Sequence, residues 1–271
     1  MASTTSDSSA GAARWRAAQL GLTTLLLRDL RGLRRLINPS RLQATVPSWI
    51  EAVAAIVARY SEVSATLAAD FYDGERESAE VAGAFTVPLA DPPPDAQVDA
   101  SMRWATKDVW ERAPQAATAV QVEPLDVRLD TAFDKAGMAT QKLVADVGRE
   151  TVRQAVRQDR QAVAYARVAA LGACSFCKLM ASRGSVYATA ETAGRDANDR
   201  FSGDASVVKF HNNCHCGILP VFRGQRFELS PHAARWDEIY REYAQGHPGD
   251  QLRLFRRALA EHDNNPLPGS H

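Results

Sequence analysis

Every cysteine of this chain lies in one short region: Cys174-Ser-Phe-Cys177 and, one loop later, His211-Asn-Asn-Cys214-His215-Cys216. Two thiols separated by two residues can both point inward from one tight turn, which is half of a tetrahedral zinc site. The second cluster offers the other half, and zinc favours thiolate and imidazole ligands closed by about four protein groups. Cys174 and Cys177 are the firmest ligands, because Gly172-Ala173 leaves room for a knuckle turn. On an extended strand Cys214 and Cys216 share a face and His215 points away. His211 repeats the spacing of the first pair. The expected metal ligands are therefore Cys174 and Cys177 with two of His211, Cys214 and Cys216, and the expected cofactor is zinc.

The flanking sequence suits such a clamp. From about Leu171 to Phe222 the chain is polar and poor in apolar residues, so its core is small and a metal would supply folding energy. Ser175–Ser182 reads as a short helix, Arg183-Gly184 as a turn, and 207–210 and 217–222 as a β-hairpin around the second cluster. The start, Met1 to Ser9, lacks a basic segment followed by an apolar one and reads as a tail rather than an export signal. Thiols in a reducing cytoplasm favour zinc over disulfides. No apolar run approaches the ~20 residues of a membrane span.

The remainder is helical. Leu22, Leu26, Leu30, Leu33 and Ile37 recur at helical spacing before Asn38-Pro39. A second helix is expected from Ser48, its N-cap, to Phe71, with Trp49, Val53, Ile56, Tyr60, Val63, Leu67 and Phe71 as the core stripe. The prolines of residues 86–94 read as a linker. Further helices are expected at 95–112 (with Trp104 and Trp110 in the core), 126–147, 150–170, 232–243 and 249–261. The fold class is thus mainly α: a tail (1–13), a helical domain (14–170), a small zinc-stabilised α+β module (171–226), C-terminal helices (227–263) and a tail (264–271).

Charge is balanced, 32 basic against 32 acidic residues, which argues against a surface saturated with nucleic-acid contacts. It is nevertheless segregated. Arg28, Arg31, Arg34 and Arg35 line one helix, and Arg149, Arg153, Arg157, Arg160 and Arg167 line another, leading towards the cysteines. Solvated faces explain both stripes; Arg28, Arg31, Arg35, Arg149, Arg153, Arg157 and Arg160 are also the candidates for contact with nucleic acid or an acidic partner.

The run from Cys174 to Tyr187, followed by Phe210-His-Asn-Asn-Cys-His-Cys216 and Gly-Ile-Leu-Pro-Val, resembles the C-terminal region of phage Mu F-like minor head proteins, most of all those of actinobacterial tailed phages. The likeness covers about Leu171 to Phe222. It implies a minor capsid protein in the capsid interior or at the portal vertex of the virion, and in the host cytoplasm during assembly. Its implied partners are portal protein, capsid or scaffold proteins and packaged double-stranded DNA, and its implied role is in head assembly, packaging or ejection. The alternative is a capsid maturation protease. A thiol nucleophile would need Cys214 or Cys216 activated by His211 or His215, yet ligated thiols are consumed. A zinc hydrolase needs an open coordination position and a carboxylate base, and no carboxylate lies within the second cluster.

Overall fold

A computed structural model describes residues 3–110, 123–185 and 216–265. Strand β1 (Ser3–Ser6) leads into α1 (Ala10–Gly32), and a pair of short 3-10 turns leads to α2 (Leu42–Ser78). Helices α3 (Asp95–Thr106) and α4 (Leu125–Gln158) complete a bundle. Then come β2 (Ala162–Val168), α5 (Ser175–Ser182), β3 (Gly217–Phe222), β4 (Gln225–Glu228), α6 (Pro231–Tyr243) and α7 (Gln251–His262). The mainly helical class is as expected, and α5, β3, α6 and α7 fall where the sequence placed them.

Several expectations are corrected. Helix α2 starts at Leu42, not at Ser48, and carries Pro47 within it. One missing N–H near the start of so long a helix is outweighed by the packing of its inner face. That inner face keeps most of the expected stripe, with Trp49, Val53 and Phe71 buried and Ile56, Tyr60 and Leu67 half-buried, but Val63 is 42% exposed and Val57, Ser61, Ser64, Ala65 and Ala68 are buried as well. Ser64 among them meets α4. A Cβ on Gly148 would stand 2.7 Å from Ser64 Oγ and 3.1 Å from its carbonyl oxygen, so the two helices touch backbone to backbone. Gly148 therefore does not break α4, which runs unbroken from the first expected helix into the first part of the second and ends at Gln158.

Residues Ala162–Val168, expected as helix, form a strand because Asp159 closes α4. Asp159 takes extended backbone angles, and its Oδ1 accepts from Gln161 N at 3.0 Å. Trp104 and Trp110 are 45% and 36% exposed rather than core. The proline-rich segment is not a spacer: Val87 and Ala90 are buried, and Ala90 N donates to Thr151 Oγ1 at 3.1 Å. The expected N-terminal tail is tied down as well. β1 pairs in parallel with β4, and the buried Asp7 carboxylate accepts from Ser230 N and Ser230 Oγ, both at 2.7 Å. Finally, residues Pro39–Ser78 are long and apolar enough to cross a membrane by length and composition alone, a test that the core helix of a helical bundle also passes. Here that length is the central helix of the bundle, packed against α1, α3 and α4.

Two cores result. One, at the α1–α4 end, gathers Leu22, Leu26, Trp49, Val53, Met102 and Leu143. The other joins the far ends of α1, α2 and α4 to the β2–β3 ladder, α5, α6 and α7 through Trp15, Tyr72, Val156, Leu219, Phe222 and Trp236.

Candidate metal centre

β2 and β3 are antiparallel, with Val168 opposite Gly217. The end of β2 and the start of β3 therefore meet. Six residues after Val168 the chain reaches Cys174, and Cys216 immediately precedes Gly217. Two regions separated by a long stretch of sequence are thus delivered to the same end of one ladder. β3 pairs with β2; residues 207–210, the other strand of the expected hairpin, lie outside the described residues, as do His211, Cys214 and His215.

The first pair has the form of a knuckle. Cys174 is the N-cap of α5, its Sγ accepts from Cys177 N at 3.5 Å, and its carbonyl accepts from Lys178 N at 3.0 Å. An N–H aimed at sulfur stabilises thiolate character. Cys177 and Cys216 are buried in the same apolar cluster, and Cys174 packs against it. Among the described residues no three of His, Cys, Asp and Glu stand together as a metal site. Of the expected ligands, Cys174, Cys177 and Cys216 are described, while His211 and Cys214 lie outside the described residues. As donors, thiolate and imidazole fit zinc.

Charged residues hold this end together. Lys178, next to Cys177, is fully buried, and its Nζ donates to Asp263 Oδ2 at 2.6 Å and Asn265 O at 3.0 Å. Trp236 Nε1 donates to the same Asp263 oxygen at 3.0 Å. Burial alone would raise the Asp263 carboxyl, but the hydrogen bond and charge of Lys178, with Asn265, outweigh it and hold it below the usual carboxylate range. Behind β3, Tyr72 and Arg76 bond Asp159 at 3.1 and 2.7 Å. Burial first, and Asp159 second, push the Tyr72 hydroxyl far up. The sequence offered no periodic signal for Lys178, Asp263 or Asp7. The one hint is a lysine inside the apolar helix Ser175–Ser182.

The arginine stripe near the cysteines is split by burial. Arg149 and Arg153 are 5% and 7% exposed. Arg149 Nε donates to Cys216 O at 2.9 Å and Nη1 to Asp146 Oδ1 at 2.7 Å, and Arg153 Nη1 donates to Glu150 Oε2 at 2.7 Å. Neither presents a face to a polyanion, contrary to expectation. Arg157 is half-exposed, 3.8 Å from Glu150, and Arg160 is exposed. On the distant stripe Arg28, Arg31 and Arg35 are exposed. Beside Cys216 a cleft of about 360 Å³ opens between α1 and α4, floored by Trp15, Gln141, Arg149 and Ala170.

The family described as VG15 protein matches residues 6–244, and the chain belongs to that family of phage and viral proteins. The match spans the bundle and the cysteine region together. No curated protein and no solved structure matches the chain.

Proposed function

We propose that the protein is a minor component of the phage head, seated near the portal, where it assists assembly, packaging or ejection of DNA. The family match over residues 6–244 carries this reading. The likeness of Cys174–Tyr187 and Phe210–Cys216 to Mu F-like minor head proteins narrows it to the portal vertex. In this reading zinc is a fold clamp: it ties the knuckle after β2 to the segment before β3, and the chain's own residues close around it. The buried setting of Cys177 and Cys216 suits ligands better than a nucleophile, since it shields both sulfurs from an incoming substrate. Contact with packaged DNA falls to the exposed Arg28, Arg31, Arg35, Arg157 and Arg160.

Mass spectrometry of purified virions tests the role. Peptides of this chain at a few copies per particle, cross-linked to portal protein, are expected; a chain present in infected cells but missing from virions and portal complexes would overturn it. Metal analysis of the purified protein tests the clamp, with about one zinc per chain expected and lost on Cys174→Ser.

A further inference from the structure

We infer that Arg149 of α4 is a positioning residue of the metal centre: it holds the backbone of Cys216 in place for ligation. This rests on the zinc reading above and goes beyond it, because it assigns part of the site to the helical bundle. Arg149 is 5% exposed, a burial that a guanidinium sustains only when its donors are used. Its Nε donates to the carbonyl oxygen of Cys216 at 2.9 Å, across 67 positions of sequence, and its Nη1 is anchored by Asp146 at 2.7 Å. The next residue is fixed from another side: a Cβ on Gly217 would lie 3.0 Å from Trp15 Nε1 and 3.2 Å from Trp15 Cδ1, so α1 presses on the backbone there. Cys216 is therefore gripped at its carbonyl by α4, while its neighbour is backed by α1 and paired to Val168 of β2.

A ligand held this way enters coordination with little conformational freedom left to lose, which is what groups supporting metal ligands supply. The knuckle of Cys174 and Cys177 is held from the opposite side, through Lys178 and the C-terminal Asp263. The two halves of the clamp are thus braced by different parts of the chain. Metal loading and the seating of α4 against β3 are the same event.

The experiment is a competition titration of the full chain with zinc against a chromophoric chelator, at a temperature well below melting. Arg149→Met is expected to weaken zinc by about tenfold or more, the usual scale for loss of a supporting contact. Val53→Ala, in the distant core, serves as a control; it should lower the melting temperature yet leave zinc affinity within about twofold, because the two sites share no contact. Asp146→Asn leaves the guanidinium in place but loosens its anchor. It tests the same contact if Arg149→Met does not fold, and should weaken zinc in the same direction by a smaller factor. Zinc affinity unchanged in a folded Arg149→Met protein, or in Asp146→Asn where that is the variant that folds, would overturn the inference and leave the zinc reading intact. A wild-type chain that takes up no zinc would instead remove the zinc reading itself, and this inference with it.

Discussion

At the α1–α4 end of the molecule, Leu26, Trp49, Val53 and Met102 are sealed in an apolar interior whose order comes from side-chain shape. At the sheet end, an apolar cluster of similar depth is threaded by buried ions: Arg76 with Asp159, Lys178 with Asp263, Arg149 with Asp146, and Asp7 beneath Ser230. In the first region each neighbour contributes a little, and exchange of one hydrophobe for another is tolerated. In the second, each charge is acceptable only while its partner is present, because removing one leaves the other uncompensated. Among the described residues the sheet end has short elements and two-stranded sheets. Directional contacts there fix which segment meets which, a choice that hydrophobicity alone leaves open.

The largest expected effect follows from Asp263. Asp263→Asn strands the fully buried Lys178 ammonium and weakens the Trp236 bond, at a cost of about 3–5 kcal/mol, read by denaturant unfolding. The pH dependence has a definite sign. The Asp263 carboxyl lies below its ordinary range in the folded protein, so unfolding takes up protons as pH falls past about 3.9. The clasp's contribution is whole above that pH and is lost as pH drops through the folded value. The gap between wild type and Asp263→Asn should stay constant from neutral pH to about pH 5 and narrow below about 4. A gap unchanged into strong acid would show that Asp263 is not the ionised partner of Lys178.

This contrast also explains what could be read from the sequence. Helices with an apolar period, α1, α6 and α7, were legible because the signal lies within one turn of the chain. The cysteine cluster was legible because spacing is itself its chemistry. β2 was missed, since Ala162–Val168 follows directly on an arginine-rich helical pattern and finds its strand partners 49 to 60 positions away, from Val168 opposite Gly217 to Ala162 opposite Phe222. The outward turn of Val63 was missed for a similar reason: which face of α2 is buried is decided by Gly148 of α4, not by α2. Arg149 and Arg153 read as a solvated stripe because nothing local shows Cys216 arriving over them.

Gly148→Ala probes the close helix crossing that both regions share. In an unconstrained helix the change would stabilise by about 0.5–1 kcal/mol. Here the new methyl meets Ser64 Oγ and its backbone carbonyl, so α2 and α4 must separate, and a net cost of about 1–3 kcal/mol is expected from overpacking. A gain on thermal unfolding would mean that the crossing is looser than its geometry requires.

The sharpest comparison uses two tryptophans that are both fully buried, Trp49 in the bundle core and Trp236 at the sheet end. The indole N–H of Trp236 donates to Asp263, while that of Trp49 has no hydrogen-bond partner among the described residues. Replacement by Phe removes similar volume at each site but different polar chemistry. Trp236→Phe gives up a bond to a buried carboxylate, about 1.5–3 kcal/mol beyond the packing loss. Trp49→Phe removes a donor that is already unsatisfied, so about 1–3 kcal/mol of desolvation is recovered against the same packing loss. Paired urea titrations should therefore rank Trp236→Phe as the more destabilising by about 2 kcal/mol or more. Equal costs would show that side-chain shape rules at both ends, and that the buried ions of the sheet end are passengers in a second apolar core.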